Sequence, residues 1–163
     1  MFLTEFNYTA TSKRYRSINT NIKCLEKDYV TLADLTKTYN REASEFFIEA
    51  WLYNLNDYFN TDKKLTPEQI SEIAEMFYDK AYYLNLPEMV LFFKKIKMGE
   101  YGKIFGSFCG VDLFNSLNIF LDSRGVAVEK IRNKKELSTA MRIEERGLRG
   151  LAIFLRAEKE NKW

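Results

Sequence analysis

Thr66-Pro67-Glu68-Gln69-Ile70-Ser71-Glu72-Ile73-Ala74-Glu75-Met76-Phe77 is the stretch that decides the fold. Threonine at the N-cap accepts a hydrogen bond from an orphan amide. Proline at the first helical position presets φ, and glutamine three residues after the cap can reach back to it. Behind this start, Ile70, Ile73, Ala74, Phe77, Ala81 and Leu84 recur on one helical face. Working outward, Pro87 predicts a next helix over Pro87–Met98, with Met89, Phe92, Phe93 and Ile96 inward and Gly99 as the residue that ends it. Lys94, Lys95 and Lys97 then fall in its last turn, where they complement the helix dipole.

The same logic extends both ways. Thr31-Leu32-Ala33-Asp34 is an acidic variant of the capping box, and the stripe behind it (Leu32, Leu35, Tyr39, Ala43, Phe46, Phe47, Ala50, Trp51, Asn54, Tyr58) predicts one long helix ending near Asn60. Downstream, Gly99, Gly102, Gly106 and Gly110 mark a loop, with a short extended piece expected at Ile104–Phe108. A fourth helix is predicted from Asp112 to Arg124, burying Leu113, Phe114, Leu117, Phe120 and Leu121 and stopped by Gly125. Residues 1–30 lack periodicity and read as an N-terminal arm, with a short strand expected near Ile22–Leu25. The expected class is therefore all-α: a compact bundle of about four helices over 31–125 with a glycine-rich loop, and a basic helical C-terminal extension over 126–163.

Bulk composition fits that class. Only 7 glycines and 2 prolines occur in 163 residues, while 46% are hydrophobic, enough for a real core. There is no histidine. That excludes a Ser-His-Asp or Cys-His centre and any His-ligated metal. Cys24 and Cys109 cannot make a disulfide framework or a four-ligand metal site, and read as free thiols of a reducing compartment. The first six residues carry no basic-then-apolar leader, and no apolar run approaches the ~18 residues of a membrane span. The expectation is a cytoplasmic protein of a bacterial host cell with no membrane contact.

No motif supports catalysis. Gly102-Lys103 lacks the surroundings of a phosphate-binding loop, Gly106-Ser107 has no histidine, and pairs such as Glu72 with Glu75 read as surface carboxylates. No catalytic residue, metal ligand or cofactor is expected.

Charge is more informative than its total of +2. Residues 1–30 carry a net +2, 31–66 a net −2, 67–125 a net −2 and 126–163 a net +4. Within the last segment Leu137, Met141, Leu148, Leu151 and Leu155 form an a/d-like seam interrupted by Glu144, a candidate partner surface. Arg142, Arg149 and Arg156 each follow a seam position, about 100° around the helix, and with Arg146, at steps of 4, 3 and 7, they form a candidate basic stripe. The stripe reads either as contact to DNA phosphate or an acidic protein, or as a solvated face paired with residues such as Glu145. Gly147 and Gly150 either permit close helix approach or break the helix. A further candidate is the junction of Lys97, Gly99, Tyr101, Gly102 and Lys103. Functionally, Tyr101 would stack on a base beside the lysines; structurally, Gly99 caps, Gly102 turns, and Tyr101 packs back on the preceding helix.

The block from residue 65 to 124 resembles an uncharacterised family of small helical proteins from Bacteroidetes phages, prophages and conjugative elements. The residues that carry the likeness are Tyr82-Tyr83-Leu84, Leu91-Phe92-Phe93, Lys97-Met98-Gly99-Glu100-Tyr101-Gly102-Lys103 and Phe120-Leu121-Asp122-Ser123-Arg124. The resemblance implies a non-enzymatic accessory protein of a mobile element, acting by protein–protein contact in DNA replication, by analogy with helicase-loading modules. The chain departs from ATP-hydrolysing loaders in having no ATPase motif. Two other functions stay open: a direct DNA-binding regulator, and a structural or cargo component of a virion.

Overall fold

A computed structural model of the chain describes residues 6–59, 63–102 and 108–160, apart from the side chains of 154 and 157–160. The fold is all-α, with seven helices and no strand among the described residues. They are α1 (Tyr8–Tyr15), α2 (Asn21–Cys24), α3 (Leu32–Thr38), α4 (Arg41–Tyr58), α5 (Pro67–Ala81), α6 (Leu86–Lys97) and α7 (Gly110–Glu160). The chain divides into two units, residues 1–124 and residues 125–163, with α7 contributing to both.

In the first unit, α6 lies at the centre of the core. Nine of its twelve residues are buried, including Met89, Phe92, Phe93 and Ile96. Phe92 is surrounded by aromatic rings: Phe93 at 5.2 Å, Phe120 at 5.4 Å, Phe77 at 5.8 Å and Tyr101 at 6.1 Å between centroids. The α5 face foreseen from periodicity is buried as read, and its capping box is complete. Gln69 N donates to Thr66 Oγ1 at 3.3 Å, and Thr66 N donates back to Gln69 Oε1 at 3.0 Å. Leu113, Leu117 and Phe120 of α7 close the core, with Phe114 and Leu121 packed beside them.

Helix ends complete one another. The Thr31 box is present, with the Thr31 hydroxyl holding the Asp34 carboxyl below its ordinary range. The next two amides of α3 have no partner within their own helix. They bond instead to the turn after α5: Leu32 N to Leu84 O at 3.0 Å, and Ala33 N to Tyr82 O at 2.8 Å. Leu86 N returns to Val30 O at 2.9 Å. The Tyr82-Tyr83-Leu84 segment thus supplies carbonyls to a distant helix start. Buried Asn56 similarly fastens the α4–α5 connection by two bonds to the Leu65 backbone, at 3.0 and 3.1 Å.

Four expectations are corrected. Residues 8–24 are not an extended arm: they hold α1 and α2, and Cys24, placed near a strand, ends a helix capped by Thr20. The helix expected over residues 31–60 is two, because Asn40 is extended and caps α4 through Ala43 N at 2.8 Å. The break rephases α4, so its buried face adds Ile48, Leu52 and Leu55 and leaves Phe46 and Tyr58 exposed. Gly125 does not stop α7, which runs on through it and through Gly147 and Gly150. A Cβ at any of these three would meet nothing within 4 Å among the described residues.

Candidate functional site

The glycine junction is built by the end of α6. Gly99 adopts φ +73°, a left-handed conformation that costs any other L-residue steric strain. With it, Gly99 N bonds to Ile96 O at 2.9 Å and Glu100 N to Lys95 O at 3.1 Å. This is the paired cap of a Schellman motif. Where such a cap usually carries an apolar contact, Lys95 and Glu100 form an ion pair at 3.0 Å. Gly102 also has positive φ, at +112°. Tyr101 is packed against the core beside Phe92. Its hydroxyl is buried without a partner among the described residues. Burial, and then the charge of Glu100, pushes its ionisation well above the ordinary tyrosine range. Tyr101 is therefore a packing residue and does not offer an open ring for stacking. Lys103 lies outside the described residues, as do Gly106 and most of the extended piece expected at Ile104–Phe108.

Lys97 turns away from the loop. Its Nζ donates to Tyr8 Oη at 3.1 Å and to Asn54 Oδ1. It also sits over two aromatic rings, Tyr8 at 5.1 Å and Tyr58 at 5.0 Å to the centroids, in cation–π geometry. Lys97 and Tyr101 thus face different neighbours.

A feature the sequence reading missed lies at the start of α6. Asn85 and Glu88 form a third capping box: Glu88 N donates to Asn85 Oδ1 and Asn85 N to Glu88 Oε2, both at 2.9 Å. The residue is fully buried, yet carries a carboxylate. Its other oxygen accepts from Arg124 Nε at 2.7 Å, and the same guanidinium stands 5.0 Å from the Tyr83 ring centroid. Burial pushes the Glu88 carboxyl above the ordinary glutamate range, while the Asn85 amide and Arg124 pull it partly back. Asn85 Nδ2 extends the network to Cys24 O at 2.8 Å. Burial, with Glu88 nearby, pushes the Cys24 thiol up to about 12, so it stays protonated and unreactive. Both cysteines are free. The visible signal was Asn85-x-x-Glu88, obscured by placing the helix start at Pro87.

The second unit carries the seam and the stripe. Leu137, Met141, Leu148, Leu151 and Leu155 are 50–64% exposed. Arg142, Arg146 and Arg149 are exposed and form no ion pair among the described residues, although Glu145 is close in sequence. The contact recorded for Arg142 is a 3.3 Å hydrogen bond to Ser138 Oγ. Arg156 is exposed as well. No group of metal-ligating side chains occurs among the described residues, and no described helix is long and apolar enough to cross a membrane.

No curated protein and no solved structure matches the chain. A family model does match, over residues 65–153, more than half of the chain. The matched region takes in the Thr66 cap, the Glu88–Arg124 pair, the glycine junction and the seam as far as Leu151. The chain belongs to DUF6633, a family of unknown function.

Proposed function

We propose that this protein is a non-enzymatic accessory factor of a phage or mobile element, acting by protein–protein contact in DNA replication. The observation that carries this reading is the row of large apolar side chains, Leu137 to Leu155, left exposed on a helix. Exposed apolar rows of this length mark interaction surfaces, and a helix with anchors at heptad-like spacing docks into an apolar groove of its partner. Phage origin and the replication setting rest on the family resemblance. In this picture the about four long helices form a bundle that carries the α7 extension to its partner.

The test is capture of replication proteins from a host expressing the tagged full chain. A helicase or another replication protein should co-purify with the native chain and be lost with Leu148→Glu or Leu151→Glu. Both sites are exposed, so unfolding should shift by no more than about 0.5 kcal/mol. Equal recovery with native and substituted chains would sink the reading.

One observation favours a second reading, direct DNA binding: Arg142, Arg146 and Arg149 carry no carboxylate partner among the described residues. Phosphate contact by three arginines makes log affinity fall against log salt with a slope of about −3, reduced by about one for each arginine changed to alanine. Filter-binding titrations across a salt series measure this. A flat salt dependence excludes it.

A further inference from the structure

A pocket of about 340 Å³ opens in the 1–124 unit among α1, α4 and α6. It takes no residue from the α7 seam, so it stands independently of the reading above. Three cations line it: Arg16, Lys94 and Lys97. No carboxylate does so among the described residues. Arg16 and Lys94 are exposed and form no ion pair among the described residues. The aromatic part of the wall comes from Tyr8, Trp51 and Tyr58. Trp51 is 3% exposed, and its indole N–H is buried with no acceptor among the described residues. A buried donor of this kind is rarely left unpaired.

These features select a ligand. Two free cations, with Lys97 as a third, match the two negative charges of a phosphate monoester, and Arg recognises phosphate oxygens in bidentate fashion. Tyr58, more than half exposed, lies beside them with Lys97 over one face of its ring. Lys97 is anchored between the Tyr8 and Tyr58 rings, so the cation is preorganised rather than drawn in from solvent. The volume falls within the range of small-molecule pockets. We infer that this pocket binds a nucleoside monophosphate unit, its phosphate on Arg16 and Lys94 and its base against Tyr58. The unit is either a free mononucleotide or the 5′-phosphorylated end of a single strand, since both present the same chemistry.

Calorimetric titration of the full chain tests this with AMP, adenosine, inorganic phosphate, and a short oligothymidylate with and without a 5′-phosphate. Saturable binding of AMP or of the 5′-phosphorylated strand is expected, with adenosine and inorganic phosphate each at least about tenfold weaker. Tight binding of AMP assigns a free nucleotide; binding of the phosphorylated strand alone assigns a strand end. The double change Arg16→Ala and Lys94→Ala touches exposed side chains and should weaken binding by at least about tenfold at unchanged melting temperature. Tyr58→Leu should weaken AMP more than inorganic phosphate. No heat with any probe at millimolar concentration overturns the inference, as does equal affinity in the doubly substituted protein.

Discussion

Replacing Arg124 with alanine is expected to lower the unfolding free energy by about 3–5 kcal/mol, the cost of leaving a buried charge unpaired. Glu88 is fully buried, and Arg124 is the one cation bonded to it among the described residues. The exposed ion pairs elsewhere, such as Lys64 with Asp57, are worth about 0–1 kcal/mol by comparison. The loss carries a pH signature. A carboxyl whose folded pKa lies above its unfolded value stabilises the fold when protonated, and that contribution is lost as pH rises through the folded pKa. Glu88 is already displaced upward, and removing Arg124 takes away one of the influences that lowers it. The deficit of Arg124→Ala should therefore be largest at neutral pH and shrink on acidification toward the ordinary glutamate range. Urea unfolding at about pH 5 and about pH 7.5 measures both values. Adding Glu88→Gln to Arg124→Ala removes the stranded charge while leaving an acceptor for the Asn85 amide, and should recover part of the loss at neutral pH. A deficit for Arg124→Ala below about 1 kcal/mol, unchanged by pH, would show that water or another group replaces the guanidinium.

The second large effect belongs to Phe92→Ala, expected to cost about 3–5 kcal/mol. The ring is fully buried and lies within 6.1 Å, centroid to centroid, of Phe77, Phe93, Phe120 and Tyr101. These neighbours belong to α5, to α6, to α7 and to the glycine junction, so no single element can shift to fill the void. The cavity term then adds to the lost transfer energy. Thermal unfolding followed by circular dichroism should show a drop on the order of 10 °C or more. Phe92→Leu keeps most of the volume and should lose much less. Equal losses for leucine and alanine would place the requirement in the ring itself rather than in the filled space.

Where the sequence was legible, it was so because local chemistry and burial agreed. Thr66-Pro67-Glu68-Gln69 carries its own cap, and the face at Ile70, Ile73, Ala74 and Phe77 is the face the core takes. Gly99 could be read as a helix terminator because its left-handed φ is a local property. The break at Asn40 was hidden because an apolar stripe can be traced through it. The signal lay instead in Thr36, Thr38, Tyr39 and Asn40, poor helix formers clustered before a good N-cap. Gly125 misled in the opposite sense: a glycine costs a helix about 1 kcal/mol, which good formers around it can outweigh. The strand expected at Ile22–Leu25 rested on four residues, too few to separate a period of two from one of 3.6.

The candidate site was legible only in part. Tyr101 and Gly99 fall where the packing reading put them, and the seam and stripe are exposed along their helix. Lys97 was grouped with the loop by sequence proximity, whereas its bonds are to Tyr8, Asn54 and Tyr58, which no spacing argument could reach. The Glu88–Arg124 pair was invisible for the same reason: 36 positions separate its partners.

The bonds from the first turn of α3 to the turn after α5 also constrain how the chain reaches this fold. Leu32 and Ala33 find their acceptors on Leu84 and Tyr82, across the whole of α4 and α5. The start of α3 cannot be completed by local nucleation. It waits for closure of a long loop, whose entropic cost falls due before the bonds that compensate it exist. The α5–α6 corner differs in that both of its capping boxes, Thr66 with Gln69 and Asn85 with Glu88, close within a single turn and need no distant partner.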